Sequence, residues 1–157
     1  MALKATIFKI DLSISDMDRN YYADHNLTIA RHPSENDQRM MLRVLAFMFN
    51  ASDTLAFTKG LSEVEDPDIW QKNLHDGIEL WIELGQPSEQ RIKKGSNQSQ
   101  KMMVYSYTGG AFDKWWQKEQ SALNLRKNLS VVTIDEQVGE QLSALVNRQM
   151  HIQCTLS

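Results

Sequence analysis

Alternating hydrophobic and polar positions near the start of the chain predict an opening β-hairpin. The alternating apolar residues are Phe8, Ile10, Leu12 and Ile14. This period of two is typical of a strand with one buried face. The segment SDMDRN follows as a reversal, and YYADHNLTIA is predicted as the returning strand.

The pattern then changes to a helical period in HPSENDQRMMLRVLAFMFN. Ser34 can cap a helix, and Glu35 and Asp37 suit the positive N-terminal end of its dipole. Apolar residues follow at helical spacing, namely Met41, Val44, Leu45 and Met48. A helix is therefore expected to begin near residue 34.

Short apolar runs separated by turn residues predict the strands and helices of the rest of the chain. The strands TLAFTKG, PDIWQK and GIELWIEL come first, followed by a polar helix that Ser88 can cap. The run MMVYSY should pair in parallel across that helix. A helix (AFDKWWQKEQSAL), a strand (NLSVVTI), a helix opened by Asp135 and a strand (RQMHIQCTL) complete the order. We expect one α/β domain over residues 1–157, with a mixed sheet flanked by helices.

Composition narrows the class of protein. With 41% hydrophobic and 24% charged residues, 157 residues are typical of a soluble domain with a real core. A net charge of −3 means that a nucleic-acid partner would need a local basic patch. Cys154 is the only cysteine, which fits a reducing cytosol. The opening MALKATIFKIDLS alternates in polarity, so we expect no signal peptide, no membrane partner and a cytoplasmic location.

Acidic residues in the hairpin PDIWQKNLHDGIELWIEL are the first candidates for chemistry. Because side chains alternate along a strand, Glu79, Trp81 and Glu83 share one face. Antiparallel pairing would bring Asp68 near Glu83, and carboxylates from two adjacent strands can bind Mg²⁺ with positions left for water and phosphate. Spacing alone favours a simpler interpretation, in which these acids are solvated on an exposed strand face.

Several uncommon strings occur in an order that resembles the bacterial YaeQ family. They are TIARHPSEND, RMMLRVLAF, FTKGLS and LWIELGQPSEQRIKK. The resemblance runs from MALKATIFK almost to the end of the chain. Members of this family are usually somewhat longer, with a further strand-forming tail after the segment that resembles MHIQCTLS, so a site element in such a tail would lie outside this chain.

The resemblance implies a variant of the PD-(D/E)XK restriction-endonuclease-like fold, whose core order is αβββαβ. The pattern over residues 34–107 gives the same order. In that fold an Asp on the second core strand and an acid on the third bind the metal, and a Lys two residues later helps to activate water. Asp68 and Glu83 match the two acids, but the third position is Gly85, which has no side chain to polarise water.

Two residues could replace the missing lysine. Gln86 could orient a water by hydrogen bonding, and Lys94 could reach the site from the following helix. Arg91 and Lys93 on the same helix are candidates for binding phosphate. A run of cations is equally typical of a solvated helix face, so both interpretations stay open.

Aromatic residues add two further expectations. Trp81 and Tyr107 could stack on nucleic-acid bases, although packing between sheet and helices is the simpler role. Trp115 and Trp116 cannot share one helix face, so we expect one in the core and the other partly exposed.

Three functional hypotheses follow. The first is an atypical Mg²⁺-dependent nuclease or phosphodiesterase with a degenerate E-x-K motif, in which Asp68 and Glu83 bind the metal and Gln86 and Lys94 position or activate water. The second is a catalytically inactive factor that binds nucleic acid or a protein partner, for example in transcription. The third is a purely structural interaction protein that uses its exposed tryptophan surface and binds neither metal nor phosphate. Under each hypothesis we expect a monomer.

Overall fold

The chain forms eight strands and four helices along residues 4–59 and 65–157, which this computed structural model describes. The strands are β1 (Thr6–Asp16), β2 (Tyr21–Arg31), β3 (Leu55–Phe57), β4 (Ile69–Lys72), β5 (Ile78–Leu84), β6 (Ser99–Tyr107), β7 (Leu129–Ile134) and β8 (Gln149–Leu156). The helices are α1 (Asp37–Asn50), α2 (Glu89–Gln98), α3 (Gly110–Asn124) and α4 (Glu136–Ser143). The predicted order αβββαβ is therefore present from α1 to β6.

The strands form two mixed sheets, whereas the sequence pattern predicts one. The first sheet has the order β2-β1-β8, with β1 antiparallel to β2 and parallel to β8. The second has the order β3-β4-β5-β6-β7, antiparallel up to β5 and parallel beyond it. The last strand returns to β1 because both strands bury one face and expose the other, so together they cover the same core.

Helix α1 lies in the core that the two sheets share. Residues 40–44 are all buried, and five consecutive helical positions point in every direction around the helix axis. The helix therefore has neighbours on all sides. Its core cluster contains Ile10 of β1 and Ile82 of β5.

The start of α1 differs from the prediction. Asn36, not Ser34, is the N-cap, and its side-chain oxygen accepts a hydrogen bond from the Arg39 N–H at 2.8 Å. The Ser34 hydroxyl instead hydrogen-bonds His32 Nδ1 at 2.7 Å. Glu35 is buried outside the first turn because its carboxylate turns inward to ion pairs, so the helix begins only at Asp37.

The hairpin between β4 and β5 is confirmed, together with its turn. Asn73 Oδ1 accepts hydrogen bonds from the N–H groups of His75 and Gly77, and Asp76 has a φ of 63°. The register pairs Ile69 with Ile82. Residue 68 therefore lies opposite the end of β5, as antiparallel pairing predicts.

Strand β5 is covered on both faces, so its acidic face is not the exposed surface that spacing alone favours. Trp81 is 1% exposed and Glu83 is 4% exposed, while Glu79 is half-buried and hydrogen-bonds Gln71. The cover on this face is α2, whose Gly95 lies against the indole of Trp81. A central strand next to a parallel partner is typically buried on both faces.

The polar helix α2 is confirmed with Ser88 as its N-cap, and Asp135 caps α4 as predicted. Helix α2 buries Ile92, Gly95 and Ser96, and most of its other residues are at least partly exposed to solvent. Strands β5 and β6 on either side of it pair in parallel, as predicted. No helix within the described ranges is long and apolar enough to cross a membrane.

We predict that Gly95→Ala destabilises the fold. A Cβ at this position would lie 2.7 Å from Trp81 Nε1 and 2.8 Å from Met102 Sδ, and both side chains are buried. We expect the free energy of unfolding, measured in urea, to fall by about 1–3 kcal/mol. That loss outweighs the gain of roughly 1 kcal/mol in helix propensity.

Gly110→Ala is the matched control, because a Cβ at this helical glycine has no neighbour within 4 Å. Its free energy of unfolding should equal or exceed that of the wild type. A Gly95→Ala protein as stable as this control would contradict the close packing of α2 on Trp81.

Candidate functional site

Two carboxylates lie buried side by side where β4 begins and β5 ends. Asp68 and Glu83 are each 4% exposed. The Asp68 N–H donates to the Ile82 carbonyl at 3.1 Å, and the Leu84 N–H donates to Asp68 Oδ2 at 3.0 Å. The backbone of β5 therefore fixes the Asp68 carboxylate beside the residue that follows Glu83.

The second oxygen of Asp68 belongs to a buried chain of alternating charges. Arg39 Nη2 donates to Asp68 Oδ1 at 3.0 Å, and Arg39 Nη1 donates to Glu35 Oε2 at 2.6 Å. Glu35 also accepts from Arg43, whose Nη2 reaches the Ala30 carbonyl at 2.8 Å. Burial alone would lower the pKa of Arg39, but the charges of Asp68 and Glu35 raise it, so the guanidinium stays charged.

The two carboxylate oxygens of Glu83 differ in their hydrogen bonding. Its Oε1 accepts hydrogen bonds from Trp81 Nε1 at 2.9 Å and from Arg91 Nη2 at 2.7 Å. Its Oε2 has no hydrogen-bond partner among residues 4–59 and 65–157, and it is not fully enclosed. Burial raises the pKa of Glu83 above the ordinary value, the hydrogen bond from Arg91 opposes that rise, and the negative charge of Asp68 adds to it.

Gly85 stands where the PD-(D/E)XK fold would have its lysine, and the backbone conformation at this position also disfavours a lysine. Gly85 has a φ of 83°, in the left-handed region that glycine adopts without strain. Strand β5 has already ended at Leu84, and the Gly85 N–H donates to the Tyr105 carbonyl at 2.8 Å. A lysine here would be strained and would not continue the strand face that carries Glu83.

Among the other predicted site residues, Arg91 is the one that reaches the carboxylate pair. Its guanidinium binds Glu83 and also the Asp66 carbonyl at 2.9 Å. Gln86 follows Glu83 by three residues and donates its amide to Ser106 Oγ at 2.8 Å. Lys94, about one turn after Arg91, pairs with Glu65 at the surface. Lys93 is exposed and lines a different cleft, between α2 and α3.

The aromatic candidates pack inside the fold. Trp81 is buried and bound to Glu83, and the Tyr107 hydroxyl donates to the Gln38 carbonyl at 3.0 Å with its ring against Gly139. Trp81 is therefore too buried to stack on a base, whereas the half-buried Tyr107 stays a candidate, and burial raises the pKa of Tyr107 to about 12. Trp115 is buried and Trp116 half-buried, as predicted.

The charged network behind Asp68 was not predicted from the sequence. Arg39 and Arg43 are four residues apart on one face of α1, and Glu35 precedes Arg39 by the same spacing, just before the helix begins. Arg43 also stands inside the apolar run MMLRVLAF, where an unpaired charge would be very unfavourable. That position is the signal that predicts a buried ion pair.

The donor set of Asp68 and Glu83 fits a hard divalent cation in its chemistry. Both residues offer carboxylate oxygens on rigid strands, and Mg²⁺ is often held by one or two carboxylates with waters and phosphate completing the shell. In the described ranges, no cluster of three or more His, Cys, Asp or Glu residues could hold a metal ion. A cation would also have to compete with Arg91 for Glu83.

The fold and this pair define the chain as a mixed α/β protein of two mixed sheets with a buried acidic pair at a strand end. The family model described as YaeQ protein matches residues 1–157. The chain therefore belongs to the YaeQ family.

Similar proteins come from several bacteria. The chain is 46% identical to the uncharacterized protein YaeQ of Escherichia coli K12 over 156 residues, which cover 99% of this chain and 86% of that one. The crystal structure of YaeQ from Xanthomonas axonopodis pv. citri matches with a TM-score of 0.93 and 44% identity, over 98% of this chain and 86% of that one. YaeQ from Pseudomonas syringae gives a TM-score of 0.93 at 34% identity, over 98% and 84%.

We predict that Glu83→Gln does not destabilise the fold at neutral pH, although it removes the ion pair with Arg91. Glutamine imitates the protonated acid. An acid whose pKa rises on folding binds more protons in the native state than in the unfolded state, so wild-type stability falls as pH rises above the ordinary value of 4.5. The stability of the wild type relative to Glu83→Gln should therefore decrease with rising pH, measured by urea unfolding between mildly acidic and neutral pH.

Leu74→Ala serves as the control, because Leu74 is fully exposed in the β4–β5 turn and the change removes no titrating group. Its stability should follow the wild type at every pH. A wild type that gains stability over Glu83→Gln as the pH rises would show that Arg91 more than offsets the burial of Glu83.

Proposed function

We propose that this protein is a divalent-cation-dependent phosphodiesterase that acts on nucleic acid, on a variant of the PD-(D/E)XK fold. The observation that carries the proposal is a pair of 4%-exposed carboxylates where β4 begins and β5 ends, one of which has an oxygen without a hydrogen-bond partner in the described part of the chain. Perturbed acids of this kind cluster at functional sites. The αβββαβ order, with the acids at its second and third strands, supports the fold assignment.

Asp68 and Glu83 would hold the cation, which would supply charge neutralisation at phosphate and a water of lowered pKa. Arg91 has a second role in this scheme. Its guanidinium now neutralises Glu83, and once Glu83 has another positive partner, Arg91 can bind a phosphate oxygen. Lys93 adds positive charge from the neighbouring surface of α2.

The water-positioning role falls to Gln86 and Lys94. Gln86 donates its amide to Ser106 Oγ, and its amide oxygen has no hydrogen bond within the described part of the chain, so it can accept one from water. Lys94 lies about one turn beyond Arg91, and its ion pair with the exposed Glu65 is weak enough to exchange. Together they would substitute for the lysine that Gly85 replaces.

A second function has its own support. Gly85 offers no side chain, and each acid of the pair already binds an arginine. These features favour a catalytically inactive factor that uses the same surface to bind nucleic acid or a protein. In that case the arginine pairs are permanent, and neither Mg²⁺ nor Mn²⁺ should bind.

We predict cleavage of single- or double-stranded DNA or RNA by the wild type with Mg²⁺ or Mn²⁺, and none with a chelator. Asp68→Asn and Glu83→Gln should each lower the rate at least about 100-fold, because each removes a charged cation ligand. Glu79→Gln is the matched control, since Glu79 lies on the same strand and binds Gln71 outside the pair. Its rate should equal that of the wild type.

Two results would refute the enzyme proposal. One is cleavage that survives in both variants, which would indicate a contaminating nuclease. The other is a wild type that is inactive with either metal but still retards nucleic acid on a gel, which would make the inactive binder the leading function.

We further predict that Lys94→Ala lowers kcat by about 100-fold with little change in KM, because water activation contributes to the chemical step. Lys93→Ala should raise KM and leave kcat nearly unchanged, because phosphate binding is its proposed role. Lys127→Ala removes an exposed lysine after α3 and should change neither constant. A Lys94→Ala effect confined to KM would remove Lys94 from the catalytic step.

A further inference from the structure

A cleft of about 580 Å³ lies between the start of α2 and α3. Its walls include Gln86, Lys93, Trp115, Lys118 and Glu119. Gln86 also belongs to the candidate site, so the cleft adjoins the carboxylate pair along the chain. Its volume falls within the range of small-molecule sites, which is roughly 300–1,000 Å³.

Glu119 in this cleft is unlike every other buried acid in the described ranges. Asp16, Glu35, Asp68 and Glu83 each bind an arginine at 3.0 Å or less. The Glu119 side chain is 10% exposed, yet it has no hydrogen bond in this part of the chain. Its one ionic neighbour is Lys118 Nζ at 3.9 Å, on a side chain that is 82% exposed.

The Glu119 carboxylate is largely buried but not fully enclosed, so a ligand in the cleft can reach it and supply the donors. Two adjacent N–H groups would match the two carboxylate oxygens. The lining carries two acids, Glu89 and Glu119, and two lysines, Lys93 and Lys118, so a ligand with both hydrogen-bond donors and a negative group would find partners of each kind. The apolar ring of Trp115 lines the same space, with its N–H already donated to the Pro87 carbonyl at 2.7 Å.

A guanine nucleotide combines these features. The Watson–Crick edge of guanine presents N1–H and N2–H side by side, so it can donate twice to one carboxylate. Adenine and cytosine place an unprotonated ring nitrogen next to their amino group, and that nitrogen would face a carboxylate oxygen. Splayed bases in single-stranded nucleic acid are commonly recognised by such edge contacts.

We propose that the cleft binds a guanine nucleotide, with Glu119 accepting from the base and Lys93 facing the phosphate. As the base-recognition site of a nucleic-acid substrate, it rests on the function proposed above. Binding of a free nucleotide needs neither a divalent cation nor the carboxylate pair, so the two proposals are separable.

The test is to titrate the full chain with GMP, AMP and CMP in the presence of chelator. Calorimetry and tryptophan fluorescence measure the binding. We expect GMP to bind at least about tenfold more tightly than AMP or CMP, and Glu119→Gln to lose at least about tenfold in GMP affinity. Asp113→Asn, an exposed acid of α3 that does not line the cleft, is the matched control and should bind GMP like the wild type.

Lys93→Ala gives a second measurement that does not alter a buried residue. It should weaken GMP while leaving guanosine unaffected. Equal affinities for the three nucleotides, unchanged GMP binding by Glu119→Gln, or inorganic phosphate that binds as tightly as GMP would each overturn the proposal.

Parallel assays separate this proposal from the previous one. Asp68→Asn and Glu83→Gln should keep wild-type GMP affinity. GMP binding without nuclease activity would retain the guanine site and refute the enzyme. Nuclease activity without a preference for GMP would support the enzyme and refute the guanine site.

Discussion

The buried ion-pair chain through Glu35 and Arg39 is the constraint on which the rest of the structure depends. Arg43 anchors it to the carbonyl of Ala30 in β2, and Asp68 ends it at the start of β4. It thus joins both sheets through α1. Its Glu35–Arg43 core is almost free of solvent, with side chains 1% and 3% exposed. Because a buried charge that loses its partner is strongly destabilising, each member holds the others in place, and the orientation of Asp68 follows from the whole chain.

That constraint makes the two acids of the site unequal. Both oxygens of Asp68 are bound, one by the Leu84 N–H and one by Arg39, which is itself held by Glu35. Glu83 instead relies on Arg91, a 30%-exposed side chain of α2, and its second oxygen has no hydrogen bond within residues 4–59 and 65–157. Asp68 is therefore held rigidly, whereas the positive partner of Glu83 can be replaced. Such a pair suits a site in which another cation takes the place of Arg91. Movement of Arg91 would disturb a surface helix, whereas movement of Arg39 would disturb the core.

Local sequence patterns predict the helices and strands of this fold well. They fail to predict strand pairing and burial where these depend on residues distant in the sequence. Strand and helix order, the Asp76–Gly77 turn and the Ser88 and Asp135 caps all follow from neighbouring residues. The pairing of β8 with β1 joins the two ends of the chain, so no local pattern reveals it. Likewise, the polar face of β5 is buried only because α2 covers it. The Asp68–Glu83 approach follows from hairpin register, but their arginine partners come from two separate helices.

Buried acids that bind arginine have a structural explanation, so they do not by themselves indicate a function. The more informative groups are carboxylate oxygens of largely buried acids that have no donor from the described residues and are not fully enclosed, because a ligand can reach them. Two such groups stand out in the described ranges: Glu83 Oε2 and the carboxylate of Glu119. Gln86 connects them, since it follows Glu83 closely in the chain and shares a cleft with Glu119. These two accessible acceptors make the surface near the start of α2 a place where a ligand can add hydrogen bonds to the described structure.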